Sequence, residues 1–327
     1  MTRFNLTAEQ RQTFQSDGVV CLRSVLTSDE IGALQTAVEQ QYAGLGTSRT
    51  GYDFEQIARQ VWASDASVDT GTADRFDMQA LKENILADPS ARPLLDDELD
   101  AGSGSFFYDV AAWQTEDAVR RVAFDSILPE SVASLLDTPT LNFWEDTTFV
   151  KAPKTKQRTA FHQDLAYFQI EGDQCVIVWI PLDPANTENG VTEYVRGSHL
   201  WGDVFAPNVF VTQTPIKSSP EQRCPDIEAN RSDYDIVTFD VVPGDVIVHH
   251  VRTVHGAGGN GSDRWRRAMS FRYTGADVRY KNRQGAIPQV GMTHDLQDGD
   301  PLFSKDYPLV YPRPWPDFSL ADAYNNS

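Results

Sequence analysis

The chain has 327 residues, a formal net charge of −19 at pH 7 and three cysteines. A chain of this length can bury a sizeable core without disulfide bonds, and its widely spaced cysteines form no CxxC pair, which argues against a disulfide framework, a zinc knuckle or a redox motif. The negative charge argues against nucleic-acid and membrane partners, because both need a basic surface, and no apolar run approaches the roughly 20 residues that span a bilayer. We therefore expect a cytoplasmic protein; no pattern predicts its oligomeric state.

The beginning of the chain predicts a helical flank. The segment LTAEQRQTFQSDG predicts a helix between a capping Thr7 and Gly18. A β-branched strand at 19–25 follows, and then a second capped helix. Residues 45–138 mix polar turns with helical pieces, and no repeat or linker marks a domain boundary. We expect residues 1–138 to be the mostly helical N-terminal flank of a single domain.

The pattern changes at residue 139. Short β-rich runs such as CVIVWIPL and DVIVHHV alternate with Gly, Pro, Asn and Asp, which is typical of an antiparallel sandwich or barrel. We expect a mainly β core over 139–279. The tail at 280–327 is rich in proline and aromatic residues, and it predicts extended coil that wraps the surface, covers a cavity mouth or forms a dimer contact.

A histidine and an aspartate lie two positions apart in the run TAFHQDLAYF. If this run is a strand, His162 and Asp164 point to the same face and can bind one metal ion. An HxD pair has about even odds of occurring by chance in such a chain, so the rest of the sequence must supply the specificity.

A second signal lies in VVPGDVIVHHVRTVHGAGGN. His255 stands where a predicted strand runs into a glycine-rich loop, so no bulky neighbour blocks its approach to the HxD pair. His249 and His250 are rivals within the strand, and because they are adjacent at most one of them points inward. We prefer His255 as the third ligand.

Two imidazoles and one carboxylate leave coordination positions open, as in non-haem Fe(II) sites that react with O₂. A structural zinc site would be closed, usually by thiolates that are absent here. The pattern therefore favours an open iron site.

The next predicted strand begins RWRRAMSFRY. If Arg266 faces inward, Ala268 and Ser270 do so too, which suits a pocket; if Arg267 faces inward, its companions are bulky packing residues. A buried guanidinium beside the metal site can anchor the far end of a dicarboxylate through two charge-assisted hydrogen bonds.

Four segments together resemble a known family: FQSDGVVCLRSVLTSDEI, FVKAPKTKQRTAFHQD, VIVWIPLDPANTENGVTEYVRGSHLWG and PGDVIVHHVRTVHGAGGNGSDRWRRAMSFRYTGAD. In this ordered set the chain resembles the phytanoyl-CoA dioxygenase family of Fe(II)/2-oxoglutarate-dependent oxygenases. The resemblance implies a double-stranded β-helix, that is a jelly-roll, cupin-like core, flanked by N-terminal helices. It also implies Fe(II), 2-oxoglutarate and O₂ as cofactors, and hydroxylation of a small organic molecule with release of succinate and CO₂.

The resemblance also implies roles for individual residues. His162, Asp164 and His255 would ligate iron, and Arg266 would bind the distal carboxylate of 2-oxoglutarate. The resemblance further implies that Trp179 lines the co-substrate pocket, with Thr148 and Ser270 as weaker candidates for hydrogen bonds to the same molecule. The presence of Asp164 favours hydroxylation or a related oxidation over halogenation, because halogenating relatives lack this carboxylate.

The family's branched-chain acyl-CoA substrate is not expected here. The segments 45–138 and 280–327 match no substrate-binding pattern, and the negative charge is unfavourable for an anionic CoA thioester. Two other functions remain alternatives: a cupin-like protein that binds a metal and a ligand without turnover, and a zinc hydrolase that uses the same three ligands.

Overall fold

The structure is a computed structural model. It describes residues 5–44, 51–53, 104–208, 219–284, 289–302 and 304–313, together with residues 210, 211, 213, 215 and 286. Much of the predicted helical segment between 45 and 138 lies outside the described residues, as does the end of the tail.

The N-terminal helices form as the sequence predicts. Helix α1 (Ala8–Asp17) begins with a capping box in which Thr7 and Gln10 bond each other's backbone, and it ends at Gly18, whose left-handed φ of 74° suits glycine. Strand β1 (Val19–Leu22) follows. Helix α2 (Ser28–Ala43) has a second capping box.

Among the described residues, two more helices lie before the β-rich region, and their bounds are α3 (Asp117–Asp125) and α4 (Leu128–Leu136). Two strands precede these helices, β2 (Tyr52–Asp53) and β3 (Phe106–Val110). The predicted flank is therefore partly β in the described residues.

The other strands follow in chain order. They are β4 (Leu141–Lys151), β5 (Thr159–His162), β6 (Ile170–Glu171), β7 (Cys175–Pro181), β8 (Thr192–Val195), β9 (Ile236–Thr238), β10 (Val246–His250), β11 (His255–Ala257), β12 (Arg266–Gly275), β13 (Arg279–Tyr280) and β14 (Leu309–Tyr311).

Two antiparallel sheets form the core of the fold. The larger has the order β1-β10-β7-β12-β4-β3-β2, with β14 paired to β4, and the smaller has the order β5-β11-β8-β9. Sequence-distant strands are neighbours in both sheets, as in a jelly roll. The predicted mainly β, double-stranded β-helix fold with helical additions is confirmed.

The two faces of the larger sheet have different partners. On β7, Val176, Val178 and Ile180 pack in one apolar cluster with residues of the helices. Because side chains alternate along a strand, Ile177 and Trp179 point to the other face. This second face is the one that lines the candidate site.

The tail adds to the fold where it is described. Strand β13 pairs with β6, and Tyr307 stacks on Trp144 with ring centroids 4.7 Å apart. No helix in the described parts of the chain has both the length and the apolar character required to cross a bilayer.

Candidate metal centre

The HxD pair lies at a strand end rather than within a strand. Strand β5 ends at His162, and Asp164 precedes a single 3₁₀ turn at Leu165–Tyr167. The condition that both residues belong to one strand is therefore not met. The turn nevertheless brings the carboxylate back toward the ring, with 3.6 Å between His162 Nε2 and Asp164 Oδ1.

His255 joins this pair from the neighbouring strand. It opens β11, where it is in register with His162 on β5. His255 Nε2 lies 3.8 Å from Asp164 Oδ2, and one ligand atom from each of the three residues lies within 4.8 Å of the other two. The three side chains are buried.

Backbone carbonyls orient both imidazoles. His162 Nδ1 lies 2.7 Å from the carbonyl oxygen of Ala160, and His255 Nδ1 lies 2.9 Å from that of Thr253. An imidazole that carries its single hydrogen on Nδ1 has a free lone pair on Nε2. In both residues this lone pair then points to the shared centre.

The rival histidines have separate positions. His250 faces away from the cluster, and its Nε2 donates to the Asp173 carbonyl over 2.8 Å. His249 points inward, and its Nε2 lies 3.3 Å from Asp164 Oδ2. It is thus a neighbour of the three-residue cluster.

The electrostatics favour the protonation states that a metal requires. Burial alone would raise the pKa of Asp164, but the adjacent His255, and next His162 and His249, hold this pKa well below its usual range. Burial, and next the neighbouring His162, lowers the pKa of His255 well below its usual value. An ionised Asp164 carboxylate and a neutral His255 imidazole are ready to bind a cation.

A cavity of about 50 Å³, partly open to solvent, adjoins the cluster. Arg266, Trp179 and Ser270 line it, with the Arg266 Cζ 6.0 Å from the Trp179 ring centroid. Burial lowers the pKa of Arg266 to about 10, so this side chain stays charged at neutral pH.

Among the described residues, the buried donors of this wall that have no hydrogen-bond partner include Arg266 Nε and Ser270 Oγ. Buried polar groups are normally hydrogen-bonded, so an unpartnered guanidinium nitrogen and hydroxyl on one wall fit a carboxylate ligand.

The alternation predicted for β12 is observed. Arg267 points to the opposite face, where it forms ion pairs with Asp183 at 2.8 Å and Glu39 at 2.6 Å. Arg266, not Arg267, therefore faces the cavity.

Thr148 is not on the cavity wall, contrary to the prediction. It is in register with Met269 and donates a 2.8 Å hydrogen bond to Gln41 of α2, on the helix-covered face. Thr147 is in register with Ser270 and faces the cavity side.

Sequence reasoning also missed Arg272, which lines the same cavity. The period of two that places Arg266, Ala268 and Ser270 inward extends to Arg272, so the signal was present in the sequence.

Comparison with known proteins gives the family. The profile described as phytanoyl-CoA dioxygenase (PhyH) matches residues 14–268, most of the chain. The chain belongs to the phytanoyl-CoA dioxygenase family.

Curated relatives agree with this assignment. The chain is 26% identical to phytanoyl-CoA dioxygenase domain-containing protein 1 of Bos taurus over 272 residues, which cover 81% of this chain and 89% of the relative. It is 30% identical over 126 residues to a probable alpha-ketoglutarate-dependent hypophosphite dioxygenase of Stutzerimonas stutzeri, covering 38% of this chain and 43% of that one.

Solved structures share the fold. The non-haem alpha-ketoglutarate-dependent carbocyclase SnoK from nogalamycin biosynthesis aligns with a TM-score of 0.64 at 23% identity, over 95% of this chain and 99% of that one. The epimerase SnoN, crystallised with Fe3+, alpha-ketoglutarate and nogalamycin RO, aligns with a TM-score of 0.61 at 22% identity, over 93% and 98%.

As a member of the phytanoyl-CoA dioxygenase family, the protein is a non-haem Fe(II)/2-oxoglutarate-dependent oxygenase that acts on a small molecule. Its cofactors are Fe(II), 2-oxoglutarate and O₂. The family favours this function over a cupin-like binding protein and over a zinc hydrolase.

Proposed function

We propose that this oxygenase hydroxylates a C–H bond of a small organic substrate, with His162, Asp164 and His255 as the iron ligands. The observation that carries the proposal is the convergence of these three buried side chains beside a cavity whose donors Arg266 Nε and Ser270 Oγ lack partners. The donor set fits Fe(II), since two imidazoles and one carboxylate leave room for other ligands.

When bound, the iron centre supplies the oxidising chemistry with O₂, while 2-oxoglutarate is converted to succinate and CO₂. The chain binds and orients the reactants. Arg266 holds the distal carboxylate of 2-oxoglutarate through charge-assisted hydrogen bonds, Ser270 donates a hydrogen bond to the same molecule, and Trp179 forms a wall beside it.

Apolar side chains limit the access of water to this site. Phe106, Phe149, Phe210 and Ile177 line the cavity, and they lower the local dielectric around the charged groups. The two Nδ1 contacts to backbone carbonyls keep the imidazoles turned toward the centre while reactants bind.

The direct test is an anaerobic titration of the purified protein with Fe(II) and 2-oxoglutarate. We expect the weak visible charge-transfer band of the chelate, and succinate after admission of air. Folded protein that gives neither signal would refute the proposal.

The variant His162→Ala should lose metal retention, measured by elemental analysis after desalting. The control is His250→Ala, since His250 is also buried but points away from the centre. If the two variants retain equal amounts of iron, His162 is not a ligand.

A further inference from the structure

The inner face of β12 carries two arginines. Arg266 and Arg272 are six residues apart, or about 20 Å along an extended strand. Arg272 is in register with Ile177, and Ile177 is in register with His249. His249 contacts Asp164. Arg272 therefore lies at the end of β12 that is near the metal cluster, whereas Arg266 lies at the opposite end of the strand.

The Arg272 side chain is buried and incompletely bonded. It is 6% exposed, it donates from Nη1 to Thr147 Oγ1 over 2.6 Å, and its guanidinium lies 5.2 Å from the Phe168 ring centroid. Its Nε has no partner.

No ion pair within 4.0 Å joins Arg272 to a carboxylate in the described part of the chain. Glu145 is opposite Arg272 in register, but the described residues include no ion pair between these two side chains. Arg267 on the other face has two carboxylate partners. A buried cation without such a partner is costly unless a ligand supplies the anion.

Charge balance leads to the same conclusion. Among the described residues that line the cavity, the charged ones are Arg266, Arg272 and Asp164, which give the wall one net positive charge. Fe(II) and doubly ionised 2-oxoglutarate would cancel each other. With both bound, one positive charge remains, and Arg266 is already engaged by the co-substrate.

We propose that Arg272 binds an anionic group of the primary substrate, a carboxylate or a phosphate. Such groups match the planar donor pattern of a guanidinium. Phe168 stacks against the same guanidinium and follows Asp164 by four residues, so the anion site adjoins the metal centre. The inference rests on the proposed function, because it assigns substrate binding to Arg272, the second arginine of that site.

The test uses calorimetric titration of the anaerobic protein saturated with Fe(II) and 2-oxoglutarate. The probes are sodium acetate and inorganic phosphate. We expect one of them to bind the unmodified protein without loss of the visible band, and to bind Arg272→Met at least about 10-fold more weakly. The matched control Arg267→Met, on the same strand but the opposite face, should bind the anion as the unmodified protein does.

Three results would overturn the inference. The first is that neither anion binds. The second is that Arg272→Met binds the anion as well as the unmodified protein does. The third is that binding bleaches the band, which places the anion on Arg266 or on the iron instead of on Arg272. If Arg272→Met does not fold, Arg272→Gln replaces it, because its amide can still donate to Thr147.

Failure of the proposed function gives a different pattern. If no band forms at all, the same anions are titrated into metal-free Arg266→Met protein. If the double variant Arg266→Met/Arg272→Met binds the anion more weakly than Arg266→Met alone, the result supports the anion site. If the two variants bind the anion equally well, the result overturns the inference.

Discussion

His250 makes the stability of the protein depend on pH. Its Nε2 donates to the Asp173 carbonyl over 2.8 Å, and its Nδ1 accepts the Arg252 backbone N–H over 3.1 Å. This pair of bonds requires the neutral ring. Burial, and next the adjacent His199, lowers the pKa of His250 from 6.5 to about 4.

The sign and size of the effect follow from this difference. The unfolded chain takes up a proton below pH 6.5, whereas the folded ring stays neutral until about pH 4. The contribution of His250 to stability is therefore complete above pH 6.5 and is lost as the pH falls toward 4. The loss is about 2 kcal/mol at pH 5 and about 3 kcal/mol once the folded ring also titrates.

Urea denaturation at pH 7.5 and pH 5.0 measures this effect in the unmodified protein and in His250→Gln. We expect the free energy of unfolding of the unmodified protein to fall by about 2 kcal/mol more than that of the variant between the two pH values. Subtracting the change in the variant from the change in the unmodified protein removes the contributions of other titrating groups. Equal changes in both proteins would refute the assignment.

Three further predictions concern the site and its support. Asp164→Ala should retain no iron after desalting while keeping its far-UV circular dichroism spectrum; iron at the level of the unmodified protein would contradict its role as a ligand. Arg266→Met should weaken 2-oxoglutarate binding by about 3 kcal/mol, or roughly 100-fold in Kd by calorimetry, whereas an equal loss in Arg267→Met would point to a general structural effect. Gly18→Ala should lower the free energy of unfolding by at least about 1 kcal/mol, because Gly18 is left-handed and an added Cβ would meet His199 and Thr253. Gly32→Ala, within α2 and with no atom within 4 Å of the new Cβ, should instead raise the free energy of unfolding by about 0.5 to 1 kcal/mol. If both alanine variants raise the free energy of unfolding, or both lower it, the reasoning is contradicted.

Local rules account for what the sequence predicted correctly. Thr7 and Gly18 delimit α1 through capping bonds within a few residues of each other. The inward position of Arg266 followed from alternation, because its rival Arg267 would have brought Met269 to the cavity.

The errors arise where distant contacts decide the structure. The run after His162 is apolar enough for a strand, but the Leu165 N–H donates to the Val251 carbonyl over 3.1 Å, and the chain turns at Asp164. Strand β4 is buried on both faces, so its polarity does not show which way Thr148 points. Only the register with β12 decides this, and no local pattern encodes it.

The order of the larger sheet has a consequence for synthesis of the protein. Strand β1 leaves the ribosome well before its partner β10, and β12, which joins β4 to β7, is made later still. The metal centre therefore cannot form on a nascent chain until His255 and the strand that follows it have emerged. Until then β1, β4 and β7 expose unpaired edges, so shortened translation products of this protein should be prone to aggregate.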